Sequence, residues 1–413
     1  MWRTGPSRGR LGMKLALVLA SVLVLAPVGL AGAAQVACRF EVEVPAGTPA
    51  GDTVYLIGNH PAIGAWKGSG VALQPAGPGK FRYQGKFPAG TRLEFKFTRG
   101  DFGRVEKSAA GHELPNRTLE VTGPGPVVAT FRVAAWADLI EPPAPTITGK
   151  YQIWRNFPSR FLGHRRTITI LLPRSYDDPA ARERRYPVLY MHDGNNLFDP
   201  AQSFGGVDWG VDETVDELTR TGELPELIVV GVANTAARLE EYTPFPDPRH
   251  GGGKGDLYGR FLIEELKPAV DARLRTRPEA AATALGGSSL GGLISLYLGL
   301  KHPEVFGGGL IVMSPSFWWA GGRIIPWAVE QRGAGGRAPL WVDIGLAEGE
   351  EALSFCRKFD RAWCPGGIAP ARYCYREVPQ AGHHEAAWRA RFAQPLLHLF
   401  GTRAGRASHP SRR

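Results

Sequence analysis

Ser289 lies in a glycine-rich segment whose spacing suits a nucleophilic serine. Residues 286–292 read Gly-Gly-Ser-Ser-Leu-Gly-Gly and satisfy G-x-S-x-G with Ser289 at the centre. An apolar run precedes the segment and a helix-like run follows it, which is the strand–turn–helix context of a nucleophile elbow. There, Gly287 and Gly291 let strand and helix pack closely, and the N–H of Leu290 points at an oxyanion. An ordinary strand-to-helix connection is the alternative, so a catalytic role for Ser289 also requires a base and an acid elsewhere in the chain.

Two adjacent histidines near the C-terminus are candidates for the base that takes the serine proton. Residues 380–388 read Gln-Ala-Gly-His-His-Glu-Ala-Ala-Trp and follow an apolar strand. We expect His383, directly after the glycine, to be the base. His384 is its rival, because the sequence does not say which imidazole points inward. No histidine pair here has the i, i+4 spacing of metal ligands on a helix, so we predict neither a metal nor a cofactor.

The acid that orients the histidine should follow the preceding strand. The run 340–344 leads into Gly345-Leu346-Ala347-Glu348, and this turn favours Glu348. Glu350 and Glu351 are expected to open the next helix, where carboxylates favour the N-terminus. Asp343, inside the strand, is a weaker candidate, and a plain surface acidic cluster is the alternative.

A second oxyanion donor is expected in the turn after an early strand. Residues 190–199 read Tyr-Met-His-Asp-Gly-Asn-Asn-Leu-Phe-Asp, and the glycine-containing turn makes the backbone N–H of Asn195 the candidate donor. His192 precedes the serine in the chain, so we expect it to tie down the turn.

These residues need a parallel sheet whose strands end at one edge. Near-continuous apolar runs alternate with helical ones such as 257–274. This pattern predicts an α/β domain with a doubly wound, mostly parallel sheet and active-site residues at the carboxyl ends of its strands. The predicted strands are 167–172, 187–191, 227–232, 282–285, 309–313 and 340–344.

The first part of the chain has a different pattern. Short alternating runs at 38–44, 54–58, 92–97 and 127–133 are separated by Gly, Pro and Asn turns, which predicts an all-β sandwich. We predict a sandwich over 35–138, a Pro-rich linker over 139–148, the α/β domain over 149–402 and a basic disordered tail over 403–413.

The N-terminus has the composition of a signal peptide over 1–34. Met13 and Lys14 are followed by an apolar run, a helix-breaking Pro27 and an A-x-A site at 31–33, so Met1 and Met13 are both candidate starts. A retained anchor is the alternative, but Pro27 and Gly29 interrupt the run. We therefore expect cleavage, no stable membrane anchor, and a secreted or periplasmic protein.

The formal charge of +10 comes largely from the two ends. Four bases lie in 1–37 and four in 401–413; removing these eight from 49 leaves 41 bases against 39 acids, a net charge of +2. We therefore expect no nucleic-acid partner.

Four cysteines permit disulfides in an exported chain. We consider pairing of Cys356 with Cys364 or Cys374 plausible, although the connectivity stays open, and no C-x-x-C motif suggests zinc.

The sandwich resembles the starch-binding family of carbohydrate-binding modules over about 95 residues. The matching segments are Val54 to Asn59, Ile63 to Lys67, Phe95-Lys96-Phe97 and Asn116-Arg117. The resemblance implies glycan binding through Trp66, Lys96 and Asn116. A sandwich that packs against the enzyme or spaces it from a surface, with Trp66 partly in the core, is the alternative.

Residues 149–402 resemble the branch of the α/β-hydrolases that includes feruloyl and acetylxylan esterases, esterase D (S-formylglutathione hydrolase) and siderophore esterases. Seven ordered segments carry the likeness: 191–199, 209–212, 241–244, 252–255, 286–292, 314–319 and 382–388. The resemblance implies a serine esterase with an acyl-enzyme intermediate and favours His383. Lys254, in the fourth segment, fails the phosphate-loop pattern, so we expect it in a loop over the site.

The expected substrate is a small-molecule or polysaccharide ester, such as an acyl or feruloyl group on a polysaccharide. Phe317, Trp318 and Trp319 are candidate pocket walls, although they are equally suited to the core. A siderophore lactone is the second expectation. A glycan-binding envelope protein without activity is the third.

Overall fold

Two sheets face each other across an aromatic core in the first part of the chain. In the computed structural model, residues 34–66, 68–123, 125–140, 144–335, 338–367, 372–403 and 405 are described. The strands are β1 (Gln35–Glu43), β2 (Tyr55–Gly58), β3 (Val71–Ala72), β4 (Gln74–Gly77), β5 (Lys80–Pro88), β6 (Arg92–Thr98), β7 (Glu106–Lys107), β8 (Arg117–Glu120), β9 (Val127–Arg132) and β10 (Ala135–Trp136). One sheet has the order β4-β5-β1-β9 and the other β3-β2-β6-β8. The predicted β-sandwich is confirmed.

Alternation of side chains builds this core. Along β1, Val36, Cys38, Phe40 and Val42 are buried while their neighbours face outward, the two-residue period of a half-buried strand. Phe40 meets Phe95 edge to face, with ring centroids 5.4 Å apart.

An eight-stranded sheet organises the second part of the chain. Its strands are β11 (Lys150–Pro158), β12 (Arg165–Leu172), β13 (Val188–His192), β14 (Ile228–Val232), β15 (Thr283–Ser288), β16 (Gly309–Met313), β17 (Leu340–Gly345) and β18 (Tyr373–Val378). The order is β11-β12-β14-β13-β15-β16-β17-β18. The strands from β13 to β18 pair in parallel, whereas β12 is antiparallel to both its neighbours. The predicted doubly wound, mostly parallel sheet is confirmed.

Helices cover both faces of this sheet. They are α1 (Val211–Arg220), α2 (Arg238–Glu241), α3 (Gly255–Arg260), α4 (Lys267–Arg273), α5 (Leu290–Lys301), α6 (Trp319–Gly322), α7 (Ile324–Gly335), α8 (Glu350–Trp363), α9 (Glu385–Arg389) and α10 (Ala393–Phe400). A π-helical segment, Phe261–Leu266, joins α3 to α4. One apolar cluster lies on each face of the sheet. Both faces of the central strands are therefore buried.

The cysteines do not pair as we considered plausible. All four are buried free thiols. Cys356 and Cys364 stand eight residues apart along and just beyond α8, about 12 Å of helix rise, which exceeds the reach of a disulfide. Cys374 belongs to the apolar cluster on the opposite face of the sheet from Cys356.

Two buried carboxylates hold the segment that enters the second domain. Asp199 Oδ1 accepts a hydrogen bond from Thr146 Oγ1 at 3.1 Å. Asp212 Oδ2 accepts from the N–H of Thr148 at 2.6 Å and from its hydroxyl at 2.9 Å. The end of the linker is therefore fixed on the α/β domain.

Several sequence predictions fall outside the described residues. These are the signal peptide (all but residue 34), residues 141–143 of the linker, and the basic tail apart from 403 and 405. None of the helices within the described ranges combines the length and apolar character needed to cross a bilayer.

Candidate active site

Ser289 occupies a sharp turn between β15 and α5. Its backbone has φ 57° and ψ −124°, a conformation that a residue with a Cβ adopts rarely and under strain. The turn is held because the Ser289 N–H donates to the carbonyl of Met313 at 3.1 Å, and Ser289 O accepts from the N–H of Ser316 at 3.0 Å. Oγ of Ser289 lies 3.3 Å from Oγ of Ser316. Ser288, the last residue of β15, is buried.

The glycines around this turn are required by close packing. A Cβ on Gly287 would lie 3.1 Å from the carbonyl carbon of Gly291 and 3.2 Å from the side chain of His192. A Cβ on Gly291 would also lie 3.2 Å from His192. The turn after β13 therefore packs directly against the turn that carries Ser289.

His383, rather than His384, faces the acid. Nδ1 of His383 lies 2.8 Å from Oε2 of Glu348. His384 instead precedes α9, where its Nδ1 accepts the N–H of Ala387 at 3.2 Å and caps the helix. The two histidines, which the sequence leaves as rivals, thus have different partners.

Glu348 is held in one orientation by several donors. Its side chain is buried, and Oε1 accepts from the Ser314 hydroxyl at 2.6 Å and from the N–H of Gly345 at 2.7 Å. Burial acts to raise the pKa of Glu348, but the hydrogen bonds from His383 and Ser314 outweigh it and lower the pKa. Glu348 is therefore kept ionised beside the imidazole.

Ser314, Trp388 and Arg391 connect these groups. Ser314 Oγ accepts from Trp388 Nε1 at 2.9 Å and from Arg391 Nη2 at 2.7 Å. The Trp388 ring also meets His383 edge to face, with centroids 5.1 Å apart. Sequence reasoning missed this network. The feature of the sequence that could have indicated it is the position of Ser314 directly after a buried strand, at the carboxyl edge of the sheet.

Asp343 and the two glutamates after Glu348 have other roles. Asp343 is buried, and its carboxylate accepts from Trp341 Nε1 at 2.7 Å and from Arg391 Nε at 3.0 Å. Burial raises the pKa of Asp343. Glu350 and Glu351 lie in the first turn of α8, as expected of helix-opening carboxylates.

The serine and the histidine are not hydrogen-bonded in the described structure. Glu348 contacts Nδ1 of His383, so Nε2 is the ring nitrogen that remains for a contact with the serine. Serine–base contacts are often loose without substrate and tighten when it binds.

The turn with Asn195 is fixed by a partly buried ion pair. Residues Gly194–Asn196 form one short 3-10 turn after Asp193, which has φ 56°. The Asp193 carboxylate accepts from Arg238 Nε at 2.7 Å and Nη2 at 2.8 Å, and from Asn234 Nδ2 at 2.6 Å. Burial acts to raise the pKa of Asp193, but Arg238 and Asn234 lower it overall. Arg238 and Asn234 are further residues that sequence reasoning missed.

His192 lies beneath this turn. It is buried, its Nδ1 lies 2.9 Å from the Tyr258 hydroxyl, and its Nε2 has no partner in the described residues. Burial, assisted by Arg238 and Arg166, lowers the pKa of His192 to about 3. His192 is therefore neutral and anchors the turn.

Only one of the three candidate pocket aromatics is exposed. Phe317 is fully buried against Phe359, and Trp319 is buried with its Nε1 donating to Phe245 O at 2.7 Å. These two are core residues, which corrects the expectation that they wall a pocket. Trp318 is 37% exposed. Lys254 lies in an exposed ion pair with Glu240.

Lys96 is not available to a glycan. Its side chain is 1% exposed, and its ammonium pairs with Glu113 at 2.8 Å, contacts Leu114 O and lies 5.6 Å from the Phe204 ring centroid of the second domain. This corrects the expectation from the resemblance. Trp66 and Asn116 are half-buried.

One acidic group could be considered for a metal. Among the described residues, Asp208, Asp212 and Glu213 bring carboxylate oxygens within 4.8 Å of one another. Arg389 already pairs with Asp208 at 2.7 Å and with Glu213 at 3.4 Å. Burial raises the pKa of Asp212 to about 7. The arginine balances part of the charge, and the group shares no residue with Ser289, His383 or Glu348.

The sheet order, the strained serine turn and the histidine–glutamate pair define an α/β-hydrolase type of enzyme. The model of the family described as "Putative esterase" matches residues 159–399. The chain belongs to this family and is a carboxylic-ester hydrolase. Residues 35–130 match the model described as "Starch binding domain". Both resemblances read from the sequence are confirmed.

Individual proteins that are similar to this chain share 27–28% of its residues over the matched regions. An uncharacterised protein, YbbA, of Bacillus subtilis is 27% identical over 252 residues, which are 58% of this chain and 94% of YbbA. The endo-1,4-beta-xylanase/feruloyl esterase of Xylanibacter ruminicola is 28% identical over 37% of this chain but only 20% of that protein. The iron(III) enterobactin esterase of Escherichia coli K12 is 27% identical over 63% of this chain and 59% of its own.

A solved structure shares the fold. The IroE-like serine hydrolase of Shewanella oneidensis has a TM-score of 0.51 at 22% identity, covering 61% of this chain and 80% of that chain.

Proposed function

We propose that the protein is an exported serine esterase with Ser289 as nucleophile, His383 as base and Glu348 as its orienting acid. The observation that carries this proposal is the conjunction of the strained Ser289 turn with the 2.8 Å contact between His383 and Glu348. Export is supported by the signal-like composition of residues 13–34.

The proposed reaction has two steps. Oγ of Ser289 attacks the ester carbonyl while Nε2 of His383 takes its proton, and the oxyanion is held by the N–H groups of Leu290 and Asn195. His383 returns that proton to the alcohol as the C–O bond breaks, leaving an acyl-serine. Water then attacks the acyl group, giving its proton to His383, and the released Ser289 oxygen recovers it.

Replacing the serine tests the proposal. We expect Ser289→Ala to lower kcat on p-nitrophenyl acetate by about 10⁴-fold or more, because the nucleophile is lost. Ser288→Ala is the matched control: that serine is the buried last residue of β15, outside the proposed machinery, and should keep most of the activity. Near-normal turnover by Ser289→Ala would refute the assignment.

The proposed substrate is an acyl or feruloyl ester on a polysaccharide. Support comes from the match of residues 35–130 to a starch binding domain and from the feruloyl esterase in the name of the Xylanibacter relative. Trp318, two residues after Ser316 in the chain, is an exposed aromatic side chain that could stack on a feruloyl ring or a sugar. Comparing kcat/KM on feruloylated and acetylated oligosaccharides tests this class.

A siderophore lactone is the second candidate, favoured by the enterobactin esterase relative. Parallel assays on a catecholate trilactone and on acylated sugars decide between the two. Failure of a fluorophosphonate probe to label Ser289 would contradict the proposed serine mechanism.

A further inference from the structure

A cavity of about 370 Å³ lies beside the turn that carries Asn195. Its floor is the edge of the sheet, formed by β11 and β12, and its wall is the segment from Gly194 to Gln202. The remaining side is contributed by Ala144, Pro145 and Ile147, where the linker reaches the α/β domain. We call this space the linker cavity.

The polar side chains around the linker cavity have unused hydrogen-bonding capacity. The side chains of Arg155, Thr167, Thr169 and Gln202 line it, and within the described ranges none of them forms a hydrogen bond or an ion pair. Arg155 and Gln202 are exposed at its rim. Arginine alone supplies five donors, and each hydroxyl or amide both donates and accepts.

Asp199 adds a buried acceptor to this wall. It is 4% exposed, and its Oδ1 is used by Thr146 and by the N–H of Ala201, both at 3.1 Å. Its Oδ2 has no donor in the described residues. Buried carboxylate oxygens normally accept hydrogen bonds, so Oδ2 has the capacity to accept a further one.

The chemistry of the lining selects a class of ligand. The charges of Arg155 and Asp199 cancel, which disfavours a strongly charged molecule. Hydroxyl, amide, guanidinium and carboxylate groups on one small cavity suit a molecule that both donates and accepts hydrogen bonds at many points. The volume is within the range of small-molecule sites.

We propose that the linker cavity is an accessory site for a neutral sugar residue, distinct from the Trp66 surface. The ligand hydroxyls donate to Asp199 and accept from Arg155, while Thr167, Thr169 and Gln202 bond the rest. Asn195, whose N–H is a proposed oxyanion donor, also lines the cavity, but no proposed step uses the five side chains named here.

The test uses the full chain carrying Ser289→Ala and Trp66→Ala, which removes turnover and the predicted glycan contact of the sandwich. Glucose, xylose and maltose are titrated by saturation-transfer NMR and calorimetry, with galacturonate as the charged comparison. We expect saturable binding of a neutral sugar that Arg155→Ala and Thr169→Val each weaken by about tenfold or more.

The matched control is Arg361→Ala, an exposed arginine on α8 near the opposite edge of the sheet, which should leave binding unchanged. Melting temperatures check that the variants fold. If Arg155→Ala does not fold, Thr169→Val, which preserves side-chain shape, decides the test. Absence of binding by all three neutral sugars, undiminished binding in both variants, or tighter binding of galacturonate would each overturn the proposal.

Discussion

The acid and base of the proposed triad depend on a side chain that neither attacks nor transfers a proton. Ser314 donates to Glu348 and accepts from Trp388 and Arg391, so its hydroxyl connects the carboxylate to a buried tryptophan and a buried arginine. We infer that Ser314 is a positioning residue for Glu348.

Ser314→Ala should lower kcat by about tenfold to a hundredfold, the factor expected when a hydrogen bond to a charged group is lost. Steady-state kinetics on p-nitrophenyl acetate measure it. Ser295→Ala is the matched control, since this buried hydroxyl donates only to the Gly291 carbonyl of its own helix. Equal kcat values for the two variants would contradict the positioning role.

His192 makes stability depend on pH in a defined window. In the unfolded chain the imidazole binds a proton at about pH 6.5, whereas in the fold its pKa is about 3. Between these values the unfolded state holds one more proton, so the free energy of unfolding falls as pH falls, by about 1.4 kcal/mol per unit at most. The stability is fully present above pH 6.5.

His192→Gln should remove that component of the pH dependence, because glutamine does not titrate. Urea unfolding followed by tryptophan fluorescence, at pH values from 7 down to 4.5, measures the slope. His112→Gln, at an exposed histidine, is the control and should retain the wild-type slope. An unchanged slope in His192→Gln would show that the buried imidazole is not responsible.

At the scale of elements, the active site depends on how closely α5 packs against β15 and the turn after β13. A methyl group on Gly287 would meet both Gly291 and His192 at distances that force a shift of a few tenths of an ångström. Since Ser289 is two residues away, we expect that shift to move the proposed nucleophile.

Gly287→Ala should therefore lower kcat by about tenfold to a hundredfold, as small misplacements of reacting groups do. Gly333→Ala on α7 is the control: its added Cβ would meet no atom within 4 Å beyond the adjacent backbone of its own helix, and helix propensity should stabilise the protein by up to about 1 kcal/mol. Kinetics and thermal melts of both variants separate the effects. If Gly287→Ala turns over substrate like the wild type, the tight turn does not set the serine position.

The sequence predicts a strand or helix well where the spacing of its apolar residues matches the faces that are buried in the fold. β13 to β17 are buried on both faces, and near-continuous apolar runs predict them. The π-helical segment 261–266 is not predictable from that pattern, because an extra residue in one turn hardly disturbs a helical spacing. Phe317 and Trp319 were ambiguous for a related reason, since an aromatic residue after a strand suits a pocket or the core equally.

At the scale of the molecule, a contact between the two domains helps to bury Lys96, which the sequence pattern does not predict. Polar and apolar residues alternate in the sequence of β6, so the pattern alone predicts that Lys96 is exposed. Its burial depends on Glu113 and on Phe204, which belong to other segments of the chain. Ser289, Glu348 and His383, by contrast, follow local motifs after strands of the sheet and are recognisable from the sequence.

The four buried thiols make the protein suitable for site-specific labelling. Burial raises the pKa of each one, so thiolate is scarce as well as shielded at neutral pH. We expect a maleimide reagent to leave the native chain unmodified and to modify four groups in urea, as mass spectrometry would record. Rapid native labelling at any of them would contradict their burial. A single cysteine introduced at an exposed position such as Arg361 would then carry a fluorophore or spin label without removing any natural cysteine.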